Sequence, residues 1–343
     1  MRVAELMGVR DFRFIEQPDP EPGPGQIRVR VGAVGLCGSD LHYYSEGSIG
    51  DLLCRYPMVL GHEPAGVVDK IGAGVTGFAA GDRVALEPAL YCYHCEYCLA
   101  GRHNVCANLR FMSNPEDPGF LRDLVLLPPH NVLGIPDHVS LDEGTVVEPL
   151  AVVLHSMKFA QIGMGDTAVV FGAGPIGLLT IACLRLAGAG RIWVFEPVAH
   201  RREIAMEMGA TAVFDPAAVN PAKQIEAETG GKGVDVAIDC AAKGGSINHC
   251  LHVTRNAGRV VFTGIPSEAI VPLEFHVARR KEITMYNVRR SNHEAGVALQ
   301  LVAERGDLFR PMLTHAIPFD DADRAFRTLE QRADGAAKIV IRL

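Results

Sequence analysis

The stretch that decides the fold is AVVFGAGPIGLLTIACL, which runs from Ala168 to Leu184. It begins with an apolar run typical of a strand, continues through glycines and a proline, and ends with an apolar run of helical character. The stretch is uncharged over almost the ~20 residues that a membrane helix needs. Because glycines and a proline interrupt it, we interpret it as a buried strand, a glycine turn and a covered helix.

The glycines of this stretch have the spacing GxGxxG, at Gly172, Gly174 and Gly177. Between a strand and a helix this spacing is typical of a dinucleotide site. The first glycine makes a tight turn, the second lets the backbone approach a pyrophosphate, and the third lets the helix pack closely. The amino terminus of the helix then faces the phosphate charge. A glycine turn without a ligand is the alternative interpretation.

An acid that binds the cofactor ribose is expected at the end of the next strand, about 20 residues further on. Glu196 in WVFEPVAHRR has that position. Its carboxylate would accept a hydrogen bond from the 2′-hydroxyl and repel a 2′-phosphate, which favours NAD over NADP. Arg201 and Arg202 leave NADP as the alternative, because a guanidinium can lie on the adenine or meet a phosphate.

The two parts of the chain differ in character. After residue 148, strands such as RIWVFEP alternate with helical segments such as AHRREIAMEMGA, which predicts βαβ units around a parallel sheet. Before it, short β-like runs such as QIRVRVGAVGLC are separated by Gly and Pro. The predicted fold class is therefore α/β plus β, with one mostly-β domain and one doubly wound parallel sheet. The last segment, AAKIVIRL, is a predicted strand without an obvious place in that sheet.

Composition restricts the kind of partner. The chain has 343 residues, a formal net charge of −7 and a pI near 6.0. No basic arm appears, which argues against nucleic acid and against an anionic membrane surface. The start, MRVAELMGVRDF, has no apolar run followed by a cleavage site, so we expect no secretory signal and a cytoplasmic location. A small molecule is the expected partner.

Four of the nine cysteines are clustered in CYHCEYCLAGRHNVC. Without a signal peptide, such clustering indicates metal or redox chemistry more often than disulfides. The spacing CxxCxxCx7C suits a closed tetrahedral zinc site. An iron–sulfur cluster is the alternative, but the fourth cysteine followed by proline is missing. The predicted structural zinc ligands are Cys92, Cys95, Cys98 and Cys106.

A second set of candidate ligands is dispersed along the chain. It consists of Cys37 in GLCGSDLHYY, His62 and Glu63 in GHEPAG, and Glu148 in VEPL. The motif HExxH is excluded, because Gly66 stands where its second histidine would be. Neighbouring side chains of a strand point to opposite faces. His62 and Glu63 can therefore reach one ion only if the backbone departs from a regular strand.

Taken together, these motifs resemble those of the zinc-dependent medium-chain dehydrogenase/reductase family over essentially the whole chain. CGSDLHYY, PMVLGHE and EPLAV are most similar to its polyol branch, the sorbitol, xylitol and L-iditol 2-dehydrogenases, with L-idonate 5-dehydrogenase nearby. The resemblance implies a GroES-like catalytic domain over residues 1–148, completed by 290–343, and a Rossmann NAD-binding domain over 149–289. It also implies a cleft between them, two zinc ions per chain and a homotetramer or homodimer.

The resemblance also implies roles for single residues. Cys37, His62 and Glu63 match the catalytic zinc ligands. Ser39 and His42 match the proton relay of alcohol dehydrogenases. The implied substrate pocket contains Tyr43, Phe111 and Arg289, and the implied cofactor site contains Gly172, Gly174, Pro175, Ile176, Gly177, Glu196, Arg201, Gly264 and Ile265. Arg290 stands where animal sorbitol dehydrogenases have tyrosine, which leaves the substrate open.

Charge separates the two acids. Zinc with one thiolate, one neutral imidazole and one carboxylate is formally neutral, whereas adding Glu148 makes the site anionic and a weaker Lewis acid. We therefore expect Glu63 to bind the metal and Glu148 to act as the general base. A resting site with four ligands, from which the substrate displaces Glu148, is the alternative.

The resulting hypothesis is NAD-dependent oxidation of a secondary alcohol of a polyol or sugar acid to the ketone. Zinc would polarise the alcohol oxygen, and the hydride would pass to the nicotinamide. L-threonine 3-dehydrogenase shares the zinc set and is the enzymatic alternative, although it usually has threonine where this chain has Ser39. Non-catalytic or zinc-free relatives form a different class, which is disfavoured because every ligand position is filled.

Overall fold

The computed structural model describes residues 1–243 and 245–343. The chain divides into two units: Met1–Ala151 with Ser291–Leu343, and Val152–Arg290. None of the described helices is long and apolar enough to cross a bilayer.

The elements follow one another along the chain. The first part contains β1 (Arg2–Gly8), β2 (Asp11–Glu16), β3 (Ile27–Gly35), α1 (Gly38–Glu46), β4 (Ser48–Ile49), β5 (Leu52–Leu53), β6 (Met58–Val59), β7 (Glu63–Ile71), β8 (Arg83–Leu86), β9 (Ala89–Leu90), α2 (Glu96–Leu99), β10 (Arg110–Phe111), β11 (Leu124–Leu127), β12 (Val132–Gly134), α3 (Leu141–Gly144) and α4 (Val147–Ala160). The middle part contains β13 (Thr167–Phe171), α5 (Pro175–Leu186), β14 (Arg191–Phe195), α6 (Ala199–Glu207), β15 (Ala212–Phe214), α7 (Pro221–Glu228), β16 (Val234–Asp239), α8 (Ser246–Val253), β17 (Thr254–Phe262), α9 (Phe275–Lys281) and β18 (Thr284–Asn287). The last part contains α10 (Ala295–Arg305), β19 (Leu313–Pro318), α11 (Ala322–Gln331) and β20 (Lys338–Arg342).

The first unit is built on a sheet with the strand order β12-β8-β7-β3-β20-β19, and β11 also pairs with β3. In β3, the alternate residues Ile27, Val29 and Val31 are buried, as expected for a strand with one face on the core. The C-terminal strand β20 pairs antiparallel with β3, with Val340 opposite Gly35. The predicted strand AAKIVIRL therefore belongs to this sheet.

The second unit has one sheet with the strand order β15-β14-β13-β16-β17-β18, and all neighbouring pairs are parallel. The order reverses beside β13, which pairs with β14 on one side and β16 on the other. Ligands of such sheets bind at the carboxyl ends of the strands near this reversal. The predicted fold class, α/β plus β, is confirmed.

The stretch Ala168–Leu184 divides as predicted into β13, a turn and α5. One strand differs from its expected extent: β17 begins at Thr254, although the apolar run that predicts it starts at Gly258. The reason is an irregularity, because the pairing of β16 with β17 changes register between Val234 and Val236. The extra residues include Ala257 with a φ of 51°.

Candidate functional site

The chain bends where the adjacent ligand candidates lie. β7 begins only at Glu63, so His62 stands outside the regular strand. Gly61 has a φ of 90°, a conformation that favours glycine, and a Cβ there would lie 2.8 Å from Val34 Cγ1. Cys37, which immediately precedes α1, completes the set. The ligand atoms of Cys37, His62 and Glu63 all lie within 4.8 Å of one another.

The Asp40 carboxylate orients the imidazole of His62 through a hydrogen bond with Nδ1. Its Oδ1 accepts hydrogen bonds from His62 Nδ1 (3.1 Å), the Gly61 amide (3.0 Å) and the Ser113 hydroxyl (2.8 Å). Since Nδ1 donates to this buried carboxylate, Nε2 is left for a metal, which is the usual arrangement of a metal-binding histidine. Asp40 was not assigned from the sequence, although it lies three residues after Cys37.

Electrostatics agree with a cation site. Burial by itself would raise the pKa of Asp40, but His62, the Gly61 amide and the Ser113 hydroxyl outweigh it and lower the pKa. Burial would lower the pKa of His62, yet Asp40 and Cys37 raise it well above its ordinary value. The protein thus gathers negative charge around a buried imidazole. A bound cation would satisfy that charge.

Replacing Asp40 with asparagine tests this support. The variant keeps the shape but loses the charge that orients His62, so we expect metal affinity to fall about 10- to 100-fold. Competition between the enzyme and a chelator for zinc measures it. Asp51→Asn, an exposed position outside the cluster, is the control and should leave the affinity unchanged. Equal affinity in Asp40→Asn and wild type would contradict the role of Asp40.

Lys338 is a second residue that was not assigned from the sequence. Its Nζ forms an ion pair with Glu63 Oε2 and donates to Leu36 O at 2.9 Å. The two side chains are 0% and 1% exposed. A Cβ at Gly35 would lie 2.4 Å from Glu63 Oε2 and 2.9 Å from Lys338 Cε. The pair therefore requires glycine at position 35.

Lys338 and Asp40 add two opposite charges to the charge argument made from the sequence. A site of zinc, one thiolate, one imidazole and one carboxylate is formally neutral; the Lys338 ammonium on Glu63 adds one positive charge, and the Asp40 carboxylate on His62 adds one negative charge. The sum stays at about zero, and adding Glu148 would still make the set anionic. Glu148 lies in the first turn of α4, and the group found among the described residues consists of the three ligands named above.

Of the other residues predicted for the relay and the substrate pocket, Ser39, His42 and Tyr43 lie on α1, and Phe111 lies in β10. Ser39 Oγ is 3.5 Å from His62 Nε2, and the Phe111 ring is 5.4 Å from the His62 ring. His42 Nδ1 lies 2.9 Å from Glu46 Oε1. Tyr43 is buried on α1. Arg289 follows β18 in the second unit.

The four cysteines of the lobe also converge. The ligand atoms of Cys92, Cys95, Cys98 and Cys106 lie within 4.8 Å of one another, and all four are free thiols. The amides of Cys95 and Cys98 donate to the sulfur atoms of Cys92 (3.4 Å) and Cys95 (3.5 Å). The His94 amide is the main reason that the pKa of Cys92 falls to about 5. Thiolates stabilised by backbone amides fit a tetrahedral zinc site.

At the glycine turn, a different structural feature accounts for glycine at each of the three positions. Gly172 has a φ of 89°, and a Cβ there would lie 2.9 Å from Ala241 Cβ. A Cβ at Gly177 would lie 1.9 Å from Gly172 O, whereas no described atom lies within 4 Å of the Cβ position at Gly174. Gly174 thus faces open space before Pro175, the first residue of α5. This is the arrangement that a pyrophosphate needs.

Glu196 is buried directly after β14 and connects two backbone segments. Its Oε2 accepts from the Ala173 amide of the glycine turn (2.7 Å), and its Oε1 accepts from the Val198 amide (2.9 Å). Arg202 donates to Glu196 O (2.7 Å) and lies 3.5 Å from Asp215 Oδ2. The Arg202 guanidinium is therefore already bound to Glu196 O and to the Asp215 carboxylate. The remaining predicted cofactor residues are Ile176 on α5, Arg201 on α6, and Gly264 and Ile265 after β17.

Comparisons with known proteins agree with this arrangement. Residues 23–137 match the alcohol dehydrogenase GroES-like domain, and residues 175–304 match the zinc-binding dehydrogenase domain. D-xylulose reductase A of Aspergillus niger is 37% identical over 343 residues, which cover 98% of this chain and 95% of the relative. The solved structure of L-idonate 5-dehydrogenase from Escherichia coli has a TM-score of 0.91 and 28% identity, covering 100% of this chain and 98% of that one. A zinc-binding dehydrogenase from Sinorhizobium meliloti 1021, bound to NADP, has a TM-score of 0.90 and 30% identity, covering 100% and 99%.

Proposed function

Because the chain belongs to the zinc-dependent medium-chain dehydrogenase family, we propose that this oxidoreductase converts a secondary alcohol of a polyol or sugar acid to the ketone, with NAD as oxidant. The observation that carries the proposal is the buried group Cys37, His62 and Glu63, supported by Asp40 and Lys338. The names of the relatives, a D-xylulose reductase and an L-idonate dehydrogenase, support the substrate class.

The reaction removes a hydride from the carbinol carbon and a proton from its hydroxyl, giving ketone, NADH and H⁺. When bound, zinc supplies a Lewis acid that lowers the pKa of the substrate hydroxyl, and NAD supplies the hydride acceptor. Cys37, His62 and Glu63 would hold the catalytic zinc, while Cys92, Cys95, Cys98 and Cys106 would hold the structural zinc. Their donor sets, three ligands in one group and four thiols in the other, fit these two roles.

Each supporting residue has a task in this scheme. Asp40 keeps the proton on His62 Nδ1 and so presents Nε2. Lys338 holds one oxygen of Glu63 and adds positive charge beside the group. We assign Glu148 the role of the base that takes the hydroxyl proton, and Ser39 and His42 the relay to solvent. Tyr43, Phe111 and Arg289 are assigned to the substrate pocket.

A substrate panel tests the proposal. NAD reduction should occur with xylitol, sorbitol or L-idonate as substrate. L-threonine should give no rate, because its ammonium needs a binding partner that neither a polyol nor a sugar acid requires. Activity on threonine alone would show that the substrate class is wrong.

Cofactor choice depends on Glu196. We expect wild type to use NAD in preference to NADP, because the buried carboxylate would lie beside the ribose hydroxyl. In Glu196→Gln, one amide loses its charged acceptor, so KM for NAD should rise roughly 10-fold. Glu203→Gln, at an exposed position on α6, is the matched control and should behave as wild type. Equal kcat/KM for NAD and NADP in wild type would overturn the assignment.

A further inference from the structure

The chain re-enters the first unit at Ser291, and the segment that follows is tied to the four-cysteine lobe. The Asn292 side chain makes two hydrogen bonds: Oδ1 accepts from the His103 amide (2.9 Å), and Nδ2 donates to Gly101 O (2.8 Å). Gly101 and His103 lie between Cys98 and Cys106. We call the contacts of residues 292 and 293 with residues 101 and 103 the crossover clamp.

A carboxamide suits this contact because it offers one acceptor and one donor on the same group. The lobe presents the complementary pair, an amide of one residue and a carbonyl of another. A carboxylate could accept from the His103 amide but could not donate to Gly101 O. Asparagine is therefore chemically specified at position 292.

A second contact strengthens the clamp. His293 Nε2 lies 2.6 Å from His103 Nδ1, and the two ring centroids are 4.2 Å apart. His293 has a φ of 70°, which is uncommon for a residue other than glycine. The Asn292 amide also donates to the buried carboxylate of Glu294. Contacts on both sides thus offset the strained backbone of the segment.

We infer that the four-cysteine lobe fixes the position of residues 291–294, the crossover segment with which the chain re-enters the first unit. Metal binding by the lobe would order Gly101–His103, and Asn292 transmits that order to the segment that starts two residues after Arg289. The inference rests on the proposed function, in which Arg289 contacts the substrate. Asn292 is then a positioning residue, and the lobe has a role in substrate binding besides stability. By linkage, weakening the clamp also weakens retention of the lobe metal.

Asn292→Asp is the variant that tests the clamp, since it preserves shape and replaces the donor to Gly101 O with a negatively charged oxygen that the carbonyl repels; the control below adds the same charge. Asn248→Asp is the matched control. Asn248 makes the same pair of contacts within the second unit, donating to Pro272 O (3.0 Å) and accepting from the Glu274 amide (2.9 Å). Three quantities are measured: amide exchange of the peptide covering 286–296, release of lobe zinc to a chromogenic chelator, and KM and kcat for the preferred polyol.

For Asn292→Asp we expect amide exchange within 291–294 and release of lobe zinc to be faster by roughly 10-fold. KM for the polyol should rise several-fold, while kcat and KM for NAD stay close to wild type. Asn248→Asp should show none of these changes. His293→Gln removes only the contact with the His103 ring, so we expect smaller changes in the same direction. If Asn292→Asp does not fold, His293→Gln is used in its place.

If amide exchange within 291–294 and release of lobe zinc are both unchanged in Asn292→Asp, the proposed role of the crossover clamp is wrong. Faster exchange with an unchanged polyol KM would overturn the positioning role. If wild type oxidises no polyol, the proposed function fails, and the exchange and zinc measurements still decide whether the lobe orders the crossover.

Discussion

Replacing Cys37 with alanine is expected to remove one of the two proposed zinc ions per chain and to reduce NAD-dependent oxidation about 1,000-fold. Cys37 contributes the thiolate of the group with His62 and Glu63. Without it, two ligands remain, and the Lewis acid that acidifies the alcohol is lost, which is worth several kcal/mol. Elemental analysis counts the zinc, and initial rates with the preferred polyol measure the activity.

Cys54→Ala is the matched control for this experiment. Cys54 is half-buried, and its sulfur lies 3.8 Å from Tyr43 O, outside both cysteine groups. The control should keep two zinc ions and the wild-type rate. If wild type itself contains about one zinc per chain, and chelators leave NAD reduction intact, the proposal of metal catalysis fails.

Replacing Lys338 with methionine is expected to destabilise the metal-free enzyme by about 3–5 kcal/mol, because it leaves the buried carboxylate of Glu63 without a counter-charge. The two side chains are 0% and 1% exposed, so water cannot screen the remaining charge. Urea unfolding followed by circular dichroism measures the loss. Amide exchange in β3 and β20 assigns it to the first unit.

Two companion variants separate charge from packing. Lys338→Arg keeps the positive charge and should lose less stability. The double variant Lys338→Met with Glu63→Gln removes both charges, so it should recover much of the loss, as expected for coupled partners. If Lys338→Met alone loses less than about 1 kcal/mol, far below the cost of breaking a buried pair, the pair does not stabilise the metal-free fold.

The sequence by itself predicted features whose residues lie close together along the chain. The GxGxxG turn between β13 and α5 and the cysteines from Cys92 to Cys106 are such features, because spacing within one turn or loop determines which groups can meet. Alternating strand and helix patterns predicted the parallel sheet for the same local reason. The family resemblance then linked the dispersed residues Cys37, His62 and Glu63.

Only the tertiary structure decided what surrounds those ligands. Asp40 is near Cys37 in sequence, but a sequence does not say which way its carboxylate points, and the structure places it on His62 Nδ1. Lys338 lies 275 residues from Glu63 and reaches it because β20 pairs with β3. The charge of the site is a sum over all groups that folding brings within a few ångströms, and Coulomb interactions depend on distance in space. Spacing along the chain carries no record of that sum, which is why the opposite charges that Asp40 and Lys338 add beside the ligands could not be assigned from the sequence.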